Sequence, residues 1–350
     1  MTRLGSRRLL IFPALLLGLV ICWPAISATP AGAAPQQEYI ALGDSIAAGL
    51  ITSLPSTRGY PALVTDQLRH LDASQPQPSG VNLDNLAVPG ETDETFVSKG
   101  QLQAFKDEIA NVKASSTTLQ LVTITLGGND LLQLQSLGTA DRQAGLDRFK
   151  TSYPAAISDV RQALGDLKPV IVVTTYYDLS GGDPAQQGSD AWWVAQFNDV
   201  IKNTAQTDVL KVADLEPAFR GHIAEWTWSP LDVHPNNAGH VEIARLVWAA
   251  TGLDQQPPVV SIAKPVAGKL SRPIPTISVT ATDNVGVTGV ELWVNGQFNS
   301  LFIYEPSLKQ YVDVWDSRTV SGPQATLSVR ATDFAGNTTN ADVTVTLPAP

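Results

Sequence analysis

Between Glu38 and about Gly252, short apolar runs alternate with stretches of helical periodicity. The runs are rich in β-branched residues and are apolar on both faces, as strands of a buried parallel sheet are. Alternating strands and helices build a right-handed α/β sandwich whose ligand site lies at the carboxyl ends of the strands. Strands are predicted at Tyr39–Leu42, Val81–Leu86, Leu119–Leu126, Val170–Tyr176 and Val209–Leu215. Helices are predicted at Tyr60–Leu71, Gln101–Val112, Ala140–Leu164 with a break near Pro154, Asp190–Ala205 and Ala238–Thr251.

The pattern changes after residues 253–258, a polar and proline-rich segment that we interpret as a linker. Beyond it, helical periodicity stops, and turn residues such as Asp283-Asn284 and Asn295-Gly296 separate short alternating runs. This pattern predicts an antiparallel β-sandwich, of immunoglobulin-like or fibronectin type by resemblance, over residues 259–350. Its strands are predicted at Val259–Ile262, Thr276–Ala281, Gly289–Val294, Gln310–Trp315, Ala325–Ala331 and Ala341–Leu347.

Residues 1–34 have the composition of a secretory signal peptide. A basic start precedes the apolar run Leu9–Trp23, which is short for a membrane span, and small residues follow between Ala28 and Ala34. Cleavage there would give a secreted protein whose α/β domain occupies residues 35–252; a retained N-terminal anchor is the alternative. Cys22, the single cysteine, lies in this segment, so the mature chain would have neither a disulfide nor a cysteine metal site.

The chain is acidic, with a formal net charge of −10 that becomes about −13 once the three signal arginines are removed. Such a charge opposes binding to nucleic acids and to anionic membranes. We therefore expect no nucleic-acid partner. The protein is expected to be a monomer.

A Gly-Asp-Ser triplet, Gly43-Asp44-Ser45, follows the first predicted strand. By itself the triplet fits an ordinary turn, since all three residue types favour chain reversal. A serine nucleophile also needs a base, which is usually histidine, and hydrogen-bond donors for the oxyanion.

The chain has four histidines. His70 ends a predicted helix, His222 follows a glycine in a loop, and His240 lies at the start of the last helix, so structural roles are favoured for these three. His234 differs, because Pro235 restrains it to an extended conformation and the next residue is an asparagine that can cap the last helix.

Two glycine-containing turns offer donors after predicted strands. In Gly127-Gly128-Asn129-Asp130 the glycines allow a sharp turn that presents the Asn129 amide, while Asp130 is expected to be structural. After the second strand, Gly90 offers an unhindered backbone N–H.

Taken in this order, the Gly-Asp-Ser triplet, Gly90, Asn129 in Gly-Gly-Asn-Asp and His234 in His-Pro-Asn resemble the motifs of the SGNH hydrolases, also called the GDSL esterase/lipase family. The resemblance implies a flavodoxin-like three-layer fold with five parallel strands ordered 2-1-3-4-5. It also implies hydrolysis of an ester or thioester through an acyl-serine, a chemistry that needs neither a cofactor nor a metal.

By the same resemblance, Ser45 is the nucleophile and His234 the general base. The Ser45 N–H, the Gly90 N–H and the Asn129 side chain form the oxyanion hole. The family pattern places an aspartate three residues before the histidine, but here Leu231 occupies that position and Asp232 lies two before. Either Asp232 or a backbone carbonyl near residues 228–231 orients His234. Asp44 is expected to hold the turn.

Several alternatives stay open at this stage. The enzyme could be a carbohydrate O-deacetylase whose C-terminal domain contacts polysaccharide or the cell surface, or the chain could be a non-catalytic surface adhesin. The substrate could thus be a small-molecule, lipid or polysaccharide ester. Asp283 and Asp333 each lie in a turn and could bind calcium, although turn chemistry is the simpler account. Aromatic residues of the sandwich that could bind sugar, most of them expected in its core, are Trp293, Phe298, Phe302, Tyr304, Tyr311 and Trp315.

Overall fold

A computed structural model describes residues 36–115 and 117–348 of the 350-residue chain. The predicted signal peptide, including Cys22, lies outside the described residues, and so do its cleavage site and the boundary at residue 34. Within the described ranges, no helix has both the length and the apolar character needed to span a bilayer.

The N-terminal domain is built on a five-stranded parallel sheet with the strand order β2-β1-β3-β4-β5. This order confirms the one that the family resemblance implies. The strands are β1 Gln37–Gly43, β2 Val81–Asn85, β3 Thr118–Thr125, β4 Val170–Thr174 and β5 Lys211–Ala213. The long helices are α2 Tyr60–Ala73, α4 Gln101–Ala114, α6 Thr139–Leu164, α7 Asp190–Asp208 and α10 Asn237–Thr251.

Five short helices of four to seven residues occupy the loops between these elements. They are absent from the sequence prediction because elements of one or two turns are too short to show helical periodicity. These helices are α1 Pro55–Arg58, α3 Asp93–Ser98, α5 Gly128–Leu134, α8 Leu215–Phe219 and α9 Ile223–Trp226.

The two central strands β1 and β3 are buried along nearly their whole length, because helices cover both faces of the sheet. Helix α6 runs through Pro154 without the break that the sequence predicts. A proline lacks the N–H that would bond the carbonyl four residues earlier, here that of Lys150. Lys150 is exposed, so water can bond that carbonyl instead.

The C-terminal domain is an antiparallel β-sandwich of two sheets, with the orders β10-β9-β13-β14-β7 and β11-β12-β8-β6. Its closely packed core includes Trp315, which is 1 % exposed. The strands are β6 Val259–Lys264, β7 Gly268–Lys269, β8 Thr276–Thr282, β9 Val287–Val294, β10 Gln297–Leu301, β11 Ile303–Glu305, β12 Gln310–Val314, β13 Gln324–Asp333 and β14 Thr338–Thr346, with a 3₁₀ turn at Ser317–Thr319.

Two turns of the sandwich meet the α/β domain. Val285, in the turn between β8 and β9, is buried in the core cluster of the α/β domain, and Phe334 and Ala335, between β13 and β14, pack against the same cluster. This end of the sandwich therefore shares apolar contacts with the first domain.

Candidate active site

Ser45 lies in the turn that follows β1, at the carboxyl edge of the sheet. Gly43 opens this turn with a φ of 126°, and a Cβ atom there would lie 2.0 Å from the carbonyl oxygen of Thr125 in β3. Only glycine lets the chain turn this close to the neighbouring strand. The turn leaves Ser45 8 % exposed, and its Oγ lies 2.8 Å from Nε2 of His234.

His234 lies in the loop between α9 and α10, where hydrogen bonds hold it on both sides. The Trp228 N–H donates to the His234 carbonyl over 3.0 Å, and the Tyr177 hydroxyl donates to the Val233 carbonyl over 2.8 Å. Asn236 caps α10 by accepting two N–H groups of its first turn, as the sequence predicts. The loop therefore presents the imidazole ring in a fixed position.

Asp232 lies against the side of the His234 ring that faces away from Ser45. Its Oδ1 accepts the main-chain N–H of His234 over 2.9 Å and contacts the ring Nδ1. Burial raises the pKa of Asp232, but the hydrogen bonds from His234 outweigh burial and leave that pKa below its usual value. The turn made by this side chain explains how an aspartate two residues before the histidine reaches its ring. Leu231, at the family's usual position, is 91 % exposed.

Two further loops bring N–H donors to the same cavity. Gly90 has a φ of 86° in the loop after β2, and Asn129 lies at the start of α5. Both line a cavity of about 290 Å³ together with Ser45 and His234. The Asn129 amide nitrogen donates to the Glu91 carbonyl over 2.8 Å, and its second hydrogen remains for a ligand. Among the described residues, the N–H groups of Ser45 and Gly90 donate to no other group.

Gln101, which sequence reasoning missed, connects the Ser45 turn to the Gly90 loop. Its Oε1 accepts the Gly43 N–H over 2.6 Å, and its Nε2 donates to the Gly43 carbonyl over 2.9 Å and to Glu91 Oε2 over 3.0 Å. Gln101 and Glu91 are both buried. The available signal was a glutamine on the apolar face of α4, four residues before the buried Phe105.

Both carboxylate oxygens of Asp44 are bonded near the end of β1. One accepts the Ile46 N–H over 2.9 Å, and the other accepts the hydroxyl of Tyr176 over 2.6 Å. Burial raises the pKa of Asp44 to about 6. These contacts fit the structural role expected for Asp44.

Asp130 occupies a similar position in the neighbouring loop. Its Oδ2 accepts the Asp93 N–H at the start of α3 over 3.2 Å. Burial and the nearby Asp93 carboxylate raise the pKa of Asp130 well above its usual value. Its bond therefore joins α5 to α3, which is the structural role expected for it.

The other three histidines lie away from Ser45. His240 is fully buried and its Nδ1 accepts the first N–H of α2, that of Tyr60, over 3.2 Å. Burial lowers the pKa of His240 to about 3, so its ring is neutral. His222 is exposed and stacks on Trp226, and His70 is exposed in the last turn of α2.

A second cavity, of about 240 Å³, adjoins the first. The two share the lining residues Leu131, Leu132, Tyr177 and Leu179. Beyond this shared wall, the second cavity is lined both by apolar side chains, among them Trp193, Val194 and Phe197, and by polar ones, among them Arg142 and Asp190. The apolar surface beside Ser45 therefore continues into a second cavity of mixed polarity.

Comparison with known proteins gives a family for each of the two domains. A family model described as the GDSL-like Lipase/Acylhydrolase family matches residues 41–241, which is more than half of the chain, and one described as a Bacterial Ig domain matches residues 258–345. The chain therefore belongs to the GDSL-like lipase/acylhydrolase (SGNH) family of carboxylic ester hydrolases and carries a C-terminal bacterial Ig domain. Both resemblances noted in the sequence are confirmed.

Three relatives illustrate the similarity, each at 25 % identity or less. Lipase 2 of Streptomyces coelicolor is 25 % identical over 280 residues, which are 65 % of this chain and 90 % of that protein. An acetylxylan esterase from Geobacillus stearothermophilus is similar in structure with a TM-score of 0.48 and 21 % identity, over 63 % of this chain and 97 % of that one. An extracellular lipase from Streptomyces rimosus gives a TM-score of 0.42 and 22 % identity, over 61 % of this chain and 99 % of that one.

Proposed function

We propose that this protein is a secreted esterase that cleaves carboxylic esters through an acyl-serine at Ser45. One observation carries the proposal: Ser45 Oγ lies 2.8 Å from Nε2 of His234, whose Nδ1 faces Asp232. A serine hydroxyl is a weak nucleophile, and it becomes effective when an adjacent, oriented base takes its proton during attack.

The proposed reaction has two halves. Ser45 Oγ attacks the acyl carbon while His234 takes its proton, and the carbonyl π electrons move to the oxygen. Collapse of this intermediate breaks the bond to the alcohol, which leaves with the proton from His234. Water, deprotonated by His234, then attacks the acyl-serine, and the acid leaves as Ser45 regains its proton.

The oxyanion is bound, in this proposal, by the N–H groups of Ser45 and Gly90 and by the Asn129 amide. These donors are held in place before the substrate arrives, because Asn129 is bonded to Glu91 and the Gly90 loop is connected to Gly43 through Gln101. Fixed donors stabilise the developing charge without the cost of reorganisation. Asp232 would hold the His234 tautomer and stabilise its protonated form.

For the acyl group, we propose the apolar side chains of the adjoining cavity. Its shared wall of Leu131, Leu132 and Leu179 begins in the cavity that holds Ser45. A hydrocarbon chain gains about 0.8 kcal/mol for each methylene that it buries. An acyl chain longer than acetyl is therefore expected to raise kcat/KM.

A series of nitrophenyl esters from acetyl to decanoyl tests this proposal. We expect turnover of the series, a rise in kcat/KM beyond acetyl, and covalent labelling of Ser45 by a serine-reactive phosphonate. Absence of both turnover and labelling would overturn the esterase proposal and favour the adhesin. A matched variant, Leu132→Ala, should flatten the dependence on chain length while leaving the acetyl ester little affected.

A second candidate, the carbohydrate O-deacetylase, is favoured by aromatic side chains on the sandwich surface. Phe298 and Tyr304 are 54 % and 49 % exposed, and they pack against Trp293 and Tyr311 respectively. The other two predicted aromatics, Phe302 and Trp315, are buried in the core. Acetylated xylan should then be cleaved faster than any nitrophenyl ester, and Phe298→Ala should weaken binding to the polymer.

Secretion, cleavage before residue 35 and the predicted domain boundaries are parts of the same proposal. Secretion and cleavage rest on the composition of residues 1–34, and the boundary between the two domains rests on the polar, proline-rich segment 253–258. The mass of the protein recovered from culture medium gives the first residue of the mature chain. Protein found only in the cell, with Met1 retained, would contradict secretion.

A further inference from the structure

Three carboxylates from distant parts of the chain meet beside the junction of the two domains. Asp254 lies in the segment that joins α10 to β6, Asp283 lies in the turn after β8, and Asp333 ends β13. One oxygen from each lies within 4.8 Å of the others. Asp254 and Asp333 are 5 % and 1 % exposed.

This cluster has carboxylate oxygens that no protein donor satisfies. Oδ2 of Asp254 and Oδ2 of Asp283 are buried and have no hydrogen-bond partner among the described residues, and the same holds for Oδ1 of Asn284. Burying an ionised oxygen without a partner is costly, and a second like charge nearby adds repulsion. The three unpartnered oxygens therefore indicate a missing positive group.

Turn chemistry explains only part of this arrangement. Oδ1 of Asp283 accepts the N–H groups of Val285 and Gly286, both over 2.9 Å, as in an ordinary Asx turn. Asp333 accepts the main-chain N–H and the side-chain amide of Asn337, each over 2.8 Å. These bonds account for the two turns, but they involve Oδ1 of Asp283 and leave its Oδ2 without a hydrogen bond from the described residues.

No lysine or arginine of the described residues forms an ion pair with any of the three aspartates. The Arg245 side chain comes close to the neighbouring turn, since its Nη1 lies 3.8 Å from where a Cβ atom on Gly336 would be, but its guanidinium pairs with Glu242. The described part of the chain therefore supplies three carboxylates here and no cation paired with them.

From this geometry we infer a divalent-cation site, filled by Ca²⁺, that is formed by Asp254, Asp283 and Asp333 with Asn284 Oδ1 as a further oxygen ligand. Oxygens bound to one Ca²⁺ at about 2.4 Å are at most about 4.8 Å apart, and the three carboxylate oxygens lie within 4.8 Å of one another. Carboxylate and amide oxygens are hard ligands that suit Ca²⁺, and Ca²⁺ accepts irregular arrangements of six to eight oxygens.

The site would fasten the linker to the sandwich. Asp254 already receives hydrogen bonds across the junction, on Oδ1 from Asn284 and on its carbonyl from Asn337, both over 3.3 Å. An ion bound by Asp254 and by the two turns would attract all three carboxylates and so offset the repulsion between them. Because Val285 and Phe334 adjoin these aspartates and pack on the α/β core, the ion would also stabilise that apolar contact.

Calcium binding is tested on the full mature chain, stripped with a chelator and titrated calorimetrically. We expect one Ca²⁺ per chain with a Kd of about 10⁻⁴ M or tighter, and binding of Mg²⁺ weaker by about tenfold or more, because Mg²⁺ demands a small octahedral cage. No saturable binding at millimolar Ca²⁺, or binding that is equal in Asp254→Asn, would overturn the inference.

Thermal unfolding distinguishes an ion site from a purely structural cluster. Saturating Ca²⁺ is expected to raise the Tm of the wild-type chain by about 5 °C or more. Asp254→Asn keeps the bonded Oδ1 and removes one negative charge, so in chelator its Tm should equal or exceed that of the wild type, whereas in Ca²⁺ it should fall below.

Asp342→Asn is the matched control, since Asp342 is an exposed residue of β14 in the same domain. It should follow the wild type under both conditions. A Tm for Asp254→Asn below the wild type in chelator, with no response of either protein to Ca²⁺, would show that the cluster is merely structural. Neither result depends on ester hydrolysis, so the inference can fail while the proposed function stands.

Discussion

The carboxyl edge of the sheet and the domain junction both hold acidic side chains that are partly or wholly buried, but the groups that contact these side chains differ. At the sheet edge, Asp232 faces the N–H and the ring of His234, so its charge has donors from its own chain. At the junction, Asp254 and Asp283 each keep a buried oxygen to which no group of the described residues donates. A hydrogen-bond network whose acceptors all have donors is in place before any ligand binds. A network with unpaired carboxylate oxygens requires a proton or a cation from solution.

Glu38 shows a third way to bury an acid. It lies on β1 and is 6 % exposed, and Asn82 donates to both of its oxygens over 3.1 Å. Burial, with a smaller contribution from Asp84 and Glu108, raises the pKa of Glu38 to about 7. Here a proton removes the buried charge. The acidic side chains of this protein are thus satisfied in three ways: by His234 at the sheet edge, by a proton at Glu38 and, as proposed, by a metal ion at the junction.

The largest expected effect comes from Ser45→Ala, which removes the nucleophile and leaves the Asp232–His234 contact in place. We expect kcat on a nitrophenyl ester to fall by about 10⁴-fold or more, with an unchanged Tm. The exposed Ser56→Ala in α1 is the control and should retain full activity. A chelator should leave kcat of the wild type unchanged, because the proposed Ca²⁺ site takes no part in ester hydrolysis. A loss of kcat in Ser56→Ala as large as that in Ser45→Ala would contradict the role of Ser45 as the nucleophile.

Replacement of the internal partner, Asp232→Asn, should lower kcat/KM by about 10²–10⁴-fold, because an amide neither fixes the right tautomer nor stabilises imidazolium. The measurement is steady-state kinetics at neutral pH. The exposed Asp107→Asn serves as the control. Activity within a factor of a few of the wild type would mean that a backbone carbonyl orients His234 instead.

Loss of one oxyanion donor, in Asn129→Ala, should lower kcat by about 10²–10³-fold with little change in KM, since this donor acts chiefly in the transition state. The exposed Asn203→Ala should be neutral. A change in KM alone would show that Asn129 binds the ground state of the substrate.

The smallest effect is expected for Glu38→Gln, and it concerns stability alone. The folded-state pKa of about 7 lies above the ordinary 4.5, so the folded chain binds this proton more tightly than the unfolded chain does. Stability contributed by Glu38 therefore falls as pH rises through the window between these two values. Compared between about pH 5 and about pH 8, the Tm of Glu38→Gln should vary less than that of the wild type. If the Tm of both proteins depended equally on pH, Glu38 would not bind a proton more tightly in the folded chain than in the unfolded one.

Much of this architecture could be predicted because it depends on local patterns. The apolar runs of β1 and β3 predict that these strands are buried, and Gly43 predicts the turn after β1. The strand order came from the family resemblance. Asp232, Ser45 and His234 could be named as candidates, but the choice between Asp232 and a carbonyl depends on a turn geometry that spacing does not reveal.

Contacts between distant segments escaped prediction. Gln101 reaches Gly43 across 58 residues of sequence, and Tyr176 reaches Asp44 across 132. Neither side chain belongs to a motif, and only tertiary packing brings them together. The same holds for Asp254, which in the sequence is one polar residue of a linker.

Tyr177 links the shape of the substrate cavity to the alignment of the reacting groups. Its ring lines both cavities and stacks on Phe219 with centroids 4.5 Å apart, while its hydroxyl holds the Val233 carbonyl beside His234. A substitution of Tyr177 that enlarges the cavity for bulkier substrates would therefore also change the position of His234 and lower turnover. Widening the pocket at Leu132, which carries no such bond among the described residues, offers a route by which selectivity can evolve separately from rate.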